Sequence, residues 1–371
     1  MNELEGAERE AYLTLALVPG IGAVRLQRLL ARFGHPSSVL AAPAAAVAQT
    51  PTISLAAAHA IGAADRRVTE RALLDLERLG GRLLLPGDAE FPGALTSIPD
   101  PPTCLFVQGS LGLLTRPIVA IVGSRDHSEY GALVCKAVAR AVAALGIVVV
   151  SGMARGLDAI AHSAALDAPG TTIGVLGNGL GVIYPAANRR LYERVARDGL
   201  LVTEFPPGDR PTAGSFPRRN RLISGLARTV VVVEAAIASG ALQTVACALD
   251  QGRDVLAVPG PVTSPVSAGV NRLIRDGATP LLELADLLQF YSEVARPAKA
   301  AAGVREPLGE SIEGRLLNAL WAGPRGAEAL VEMVDAGVEK ALEALSALEL
   351  SGKVSQDAGG LYRSTAGGLF T

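Results

Sequence analysis

The chain has 371 residues, 49% of them hydrophobic, and a formal net charge of −2; this predicts two or three ordered domains with a large core and excludes a disordered polar chain or a basic coat for nucleic acid. Cys104, Cys135 and Cys247 are isolated, and His35, His59, His127 and His162 lack ligand spacing, so reduced thiols in a cytoplasm are expected and a disulfide framework or metal site is not. The longest apolar runs, such as Ile147 to Val150, are strand-sized and the start NELEGAERE is acidic, which argues against a membrane span and a secretory leader.

Residues 1–80 are expected to form a small helical domain. Ala11 to Leu17 reads as an apolar helix, and the turn Pro19-Gly20-Ile21-Gly22 leads into another. The turn has the look of a helix-hairpin-helix loop, whose glycines bring helix N-terminal N–H groups close to a phosphate. A tight turn between two packed helices is the other reading. Gly80-Gly81 closes this unit.

Residues 81–292 follow a regular alternation. Apolar β-branched runs occur at Ile118 to Val122, Ile147 to Val150, Thr171 to Leu176, Leu200 to Thr203, Thr229 to Val233 and Val255 to Val258. Helix-period stretches separate them at Tyr130 to Leu145, Leu157 to Leu166, Asn188 to Asp198, Asn220 to Leu226 and Ala241 to Gln251. Continuous apolar strands alternating with helices predict a parallel sheet covered on both faces, the doubly wound, Rossmann-like α/β class. Residues 293–309, rich in Ala, Gly and Pro, read as a linker. Residues 310–371 hold three helical stretches and two short strands around Gly359-Gly360, the pattern of a winged helix. Its third helix, VEKALEALSALEL, has three glutamates and one lysine and would repel a phosphate backbone, so a protein-contact role is expected there. Charge follows the same division: residues 82–292 hold 18 Lys+Arg against 17 Asp+Glu, and residues 310–371 hold 5 against 9. Any nucleic-acid site is therefore a local patch in the middle of the chain.

The carboxyl ends of the predicted strands, where an open α/β sheet binds ligands, are rich in small residues. They carry Gly123-Ser124-Arg125, Ser151-Gly152-Met153-Ala154-Arg155-Gly156, Gly177-Asn178-Gly179, Glu204, and Glu234 followed by Ser239-Gly240. One such turn is ordinary; several on one edge predict an anion site. A dinucleotide fingerprint is absent, because the first turn is GSRDHSEYG and the GNGLG follows the third strand; a Walker A motif is also absent. No cofactor is expected, and no catalytic constellation is evident. Asp158 and His162, four apart in GLDAIAHSAAL, could pair as acid and base, but a helix-start carboxylate and a buried histidine are the stronger reading. Glu234 is expected to pair with a nearby arginine. The stretch SFPRRNRLISGL, Ser215 to Leu226, sets Arg218, Arg219, Asn220 and Arg221 beside Phe216. Guanidinium forks suit phosphate and an exposed Phe suits a nucleobase, so this stretch is the expected wall of a single-stranded nucleic-acid site.

Taken together, DPPTCLFVQG, IVAIVGSRDHSEYG, VVSGMARGLDAIAH, TIGVLGNGLGVIYPAANRRL, SFPRRNRLISGLARTVVVVEA, ASGALQTVACALDQGRDVLAVPG and AGVNRLIRDGAT closely resemble the DNA-processing protein A (DprA/Smf) family over about half the chain. The flanking parts match its layout of an N-terminal SAM-like or helix-hairpin-helix domain and a C-terminal winged helix. The resemblance implies a homodimeric, non-enzymatic protein of natural transformation that binds and protects incoming single-stranded DNA and loads the RecA recombinase. Carried over by position, Arg125 would clamp phosphate, with Gly123, Ser124, Ser151, Gly152 and Met153 as a close backbone wall. Phe216 would stack a base, Arg218, Arg219, Asn220 and Arg221 would hold the strand, and Ser239 and Gly240 would line the far side. The lysine that some members carry before the Phe is replaced here by Ala213-Gly214. The family's dimer surface would map onto Gly269 to Asp276. A related phosphoribohydrolase group uses a P-G-G-x-G-T loop where this chain has ASGALQT; that enzyme reading, and a winged-helix regulator with an α/β sensor, are the alternatives.

Overall fold

The computed structural model describes residues 6–294, 311–321, 324–334, 336–351, 353–357 and 359–364. The expected linker lies almost wholly outside them. The chain divides into two compact units, one running to Leu282 and taking in Gln289–Tyr291, the other holding the C-terminal module.

The first unit is built on nine strands: β1 (Arg82–Leu84), β2 (Leu105–Gly109), β3 (Ile118–Val122), β4 (Val148–Ser151), β5 (Thr172–Val175), β6 (Leu200–Thr203), β7 (Thr229–Val232), β8 (Asp254–Ala257) and β9 (Thr279–Pro280). They lie in the order β1-β2-β6-β5-β4-β3-β7-β8-β9. From β6 to β9 all neighbours run parallel, and β1 and β2 add an antiparallel edge. The six apolar runs of the sequence are β3 to β8. The short outer strands β1, β2 and β9 were not expected.

Side chains alternate across the sheet, so one strand feeds two cores. Leu105, Val107, Leu200 and Val202 join one core, whereas Phe106 and Leu201 join the other. The second core also takes Leu13, Leu15, Leu26 and Leu29. The N-terminal helices thus cover one face of the sheet within a single unit. The described part of the other unit has helices Ile312–Trp321, Ala327–Val334 and Val338–Leu350. Its three-stranded antiparallel sheet pairs Leu361–Ser364 with both Arg325–Gly326 and Val354–Gln356, a winged helix around Leu316, Leu330, Leu345 and Leu348. Two of those strands were expected; Arg325–Gly326 is the addition.

Candidate functional site

In a doubly wound sheet the crevice opens where successive strands leave in opposite directions. Here that point lies between β3 and β7, which are direct parallel neighbours. A cleft of about 540 Å³ sits there, lined by Gly123, Ser124 and Arg125 after β3, by Ser239, Gly240 and Thr244 after β7, and by Phe216, Arg219 and Asn220. A recess of about 330 Å³ adjoins it, lined by Gly152, Met153, Gly177, Asn178 and Tyr184. Arg125, Phe216 and Arg219 line both spaces.

Three helices begin at this edge: Leu157–Asp167, Ser215–Leu226 and Ala241–Asp250, after Gly156, Gly214 and Gly240. None of those three glycines can cap its helix with a side chain, although Ser239 Oγ accepts from the Ala241 N–H at 3.3 Å. Their dipoles favour an anion, although Leu157, Ser215 and the first three residues of the third helix already give their N–H groups to Ser124, Thr212, Ser239 and Gly240. Gly156 has φ +83°, and a Cβ there would come within 2.6 Å of the Ser124 and Arg125 carbonyls. Only glycine lets the β4 loop press against the β3 loop in this way. Met153 also has positive φ, at 57°. Its side chain is buried in the N-terminal core, so it offers the recess its backbone. Ser151 is fully buried, with its Oγ donating to the Ile121 carbonyl at 2.6 Å, and lies beneath the cleft rather than on it.

The arginine stretch is helical from Ser215, not from Asn220. Pro217 falls in the first turn, where its missing N–H costs nothing. Helical spacing then divides the polar residues between two sides. Phe216, Arg219, Asn220 and Ile223 face the cleft. Arg221 is turned away, donating to both Glu204 oxygens at 2.7 and 2.8 Å and to Asp100 at 2.8 Å. Arg218 lies over the Phe205 ring at 5.5 Å and 3.7 Å from Glu204. The structure therefore places Arg218 and Arg221 outside the cleft, contrary to the linear reading of the patch. Arg219 is buried at its floor, its guanidinium donating to the carbonyls of Gly152 and Val175. Burial, reinforced by the nearby Arg125 charge and opposed by Asp158, brings its pKa down to about 10. Arg125 is exposed, and no carboxylate is within ion-pair reach of it among the described residues.

Phe216 sits over the end of β5. A Cβ on Gly177 would lie 2.8 Å from its ring, so the glycine gives that ring its seat. Tyr184, half exposed, meets Phe216 at 5.4 Å between centroids with a 37° tilt. Sequence reasoning missed Tyr184; the signal available was an exposed-type aromatic in the loop after Gly177-Asn178-Gly179.

Two carboxylates at this edge, Glu234 and Asp158, are held within the protein, whereas Asp126 is exposed beside the cleft. Glu234 accepts from the Ser128 N–H at 2.9 Å and from the Ser128 hydroxyl, tying the end of β7 to the loop after β3. Its partner is thus a serine and not the expected arginine. Asp158 is buried and accepts from the Ala154 N–H at 3.4 Å; burial raises its pKa, and Arg219 works against that rise. His162 binds the Thr172 hydroxyl at 2.7 Å, and that hydroxyl donates to the Val149 carbonyl. The hydroxyl proton being used, Nδ1 must be the donor, which fixes the tautomer. Asp158 and His162 form no acid–base pair. Gly269 and Val270, in the expected dimer surface, are buried in the helix Ala268–Arg275. No cluster of metal-binding side chains occurs among the described residues, and none of their helices is long and apolar enough to cross a membrane.

Comparison with known proteins agrees on one family. A family model described as DNA recombination-mediator protein A matches residues 82–292, and the DprA winged helix domain matches residues 296–360. Protein Smf of Escherichia coli is 40% identical over 279 residues, covering 75% of this chain and 72% of that protein. The DNA processing protein DprA of Streptococcus pneumoniae is 44% identical over 203 residues, or 54% and 71% of the two chains. Its solved structure superposes with a TM-score of 0.67 at 32% identity, covering 78% of this chain and 98% of that one. A DNA processing protein A from Helicobacter pylori, solved for its single-stranded DNA binding mode, superposes with a TM-score of 0.53 at 29% identity, over 58% and 97%.

Proposed function

Because the chain belongs to the DNA recombination-mediator protein A family, we propose that its switch-point cleft holds single-stranded DNA and performs no chemistry on it. One observation carries this reading: three helix N-termini, the unpaired Arg125 and the ring of Phe216 converge on one cleft. Helix dipoles and Arg125 suit the phosphates, and Phe216 presents a face that any base can stack on. The Helicobacter relative's single-stranded DNA binding mode supports that ligand class. Engagement of Glu234 by Ser128 and burial of Asp158 take those two carboxylates out of play as general bases and leave the exposed Asp126, paired with Arg155; the reading is binding without catalysis.

As the family resemblance implies, the bound strand would be protected and handed to RecA recombinase, with the protein acting as a homodimer in the cytoplasm during natural transformation. Within the cleft, Arg125 would clamp phosphate and Gly123, Ser124, Ser239 and Gly240 would form its close walls, with Gly152 in the adjoining recess. Anisotropy with a labelled oligothymidylate tests this. Phe216→Ala should weaken binding by about 1–3 kcal/mol, and Arg125→Ala should weaken it and lower the salt dependence. With roughly five phosphate contacts, the log–log salt slope should be near −3.5. Wild-type affinity in both variants would overturn the assignment.

A further inference from the structure

Phe216 has a second side. The 540 Å³ cleft meets one part of its surface and the 330 Å³ recess another, and Tyr184 lines only the recess. Tyr184 is 50% exposed although its ring is in contact with Phe216. Two aromatic rings held this way make a stepped ledge, with Tyr184 the outer step. The tilt and the 5.4 Å separation leave no room for a base between them, so a base here must stack on the free face of Tyr184. The opposite wall is polar. Asn178 is only 2% exposed, and its Nδ2 donates to the Gly179 and Val182 carbonyls at 3.0 and 2.7 Å. Both of its amide hydrogens are used, and its Oδ1 has no partner among the described residues. Every nucleobase carries an N–H on its Watson–Crick edge, so an acceptor there serves any sequence. Two cations flank the mouth. Arg125 is unpaired, and Arg155 is held only by an exposed ion pair to Asp126 at 3.1 Å, which a phosphate can displace.

We propose that this recess is a second nucleotide subsite, in which the base next to the one on Phe216 stacks on Tyr184 and offers an N–H to Asn178 Oδ1. The subsite rests on the single-stranded DNA reading above. Its ligand class is a base-bearing strand, and the order Tyr184 then Phe216 fixes the path of that strand across the ends of β5, β4 and β3.

The test uses the full chain, a short oligothymidylate, and an abasic oligomer of the same length. Tyr184→Ala should lose at least about fivefold in affinity for oligothymidylate, the lower end of one stacked base, and should bind the abasic oligomer like wild type. Tyr184→Phe should restore the affinity. The chain has a single tryptophan, so Tyr184→Trp adds a probe against a known background. Its extra emission should be quenched by oligothymidylate and not by the abasic oligomer. Unchanged thymidylate affinity in Tyr184→Ala, or absence of quenching while the strand is bound, overturns the subsite. If Phe216→Ala is impaired in the same assay, the cleft assignment survives that result; if it is not, both fall together.

Discussion

At His162 the fold holds an imidazole neutral. The ring is fully buried, Nδ1–H is given to Thr172, and Nε2 has no partner among the described residues. Burial first, and the Arg219 charge second, push its pKa from 6.5 down to about 3. An unfolded chain takes up a proton on this side chain as pH falls through 6.5, whereas the folded chain does not until about 3. The stability that depends on a neutral His162 is therefore fully present above pH 6.5 and lost progressively below it, at about 1.4 kcal/mol per pH unit. Urea midpoints measured below neutral pH should fall more steeply for wild type than for His162→Gln. Parallel slopes would show that the ring titrates as if exposed. The sequence placed this histidine one turn after Asp158, which is the spacing of a pair. Only the sheet beneath supplies Thr172, a partner ten residues away that no local pattern announces.

The helix Ser215–Leu226 has two chemically different sides. Toward the cleft it presents Phe216, Arg219 and Asn220; on its other side Arg221 is locked to Glu204 and Asp100. Losing one member of a buried ion pair leaves the other charge uncompensated, a cost of about 3–5 kcal/mol. Arg221→Ala should lower the denaturant midpoint accordingly while the folded fraction still binds oligonucleotide. Arg125→Ala should do the reverse, sparing stability and weakening binding. A paired measurement of midpoint and affinity separates the two arginines. The strands β3 to β8 were legible because a buried parallel strand is an uninterrupted apolar run. The start of this helix was not, because Pro217 looks like a boundary until its place in the first turn is known. Reading the segment as linear put three arginines in one patch, and the 3.6-residue period separates them.

For the whole molecule, the described structure gathers the sheet, the N-terminal helices and the cleft into one unit and sets the winged module in another. Leu13, Phe106 and Leu201 share one packed core, and Leu316, Leu330 and Leu348 share another. Deleting residues 303–371 should therefore leave single-stranded DNA binding intact. Loss of all binding in that truncation would favour the reading as a winged-helix regulator. The N-terminal helices show the limit of sequence reasoning at this scale. Gly80-Gly81 suggested a domain border, yet the apolar faces on either side of it meet across the sheet, a long-range contact that composition cannot encode.

Arg219 carries a further consequence. Its guanidinium lies at the floor of both the cleft and the recess, fixed to the backbone at Gly152 and Val175 and almost wholly buried. Mobile ions screen exposed charges such as Arg125 over a Debye length of about 8 Å at physiological salt, but they screen a buried charge far less. Asp158 is buried beside Arg219, so the field at the floor is that of a buried pair, one that added electrolyte reaches only weakly. If the cleft holds single-stranded DNA as proposed, whatever attraction Arg219 contributes should be less sensitive to salt than that of Arg125, and titrations at rising salt with Arg125→Ala check it.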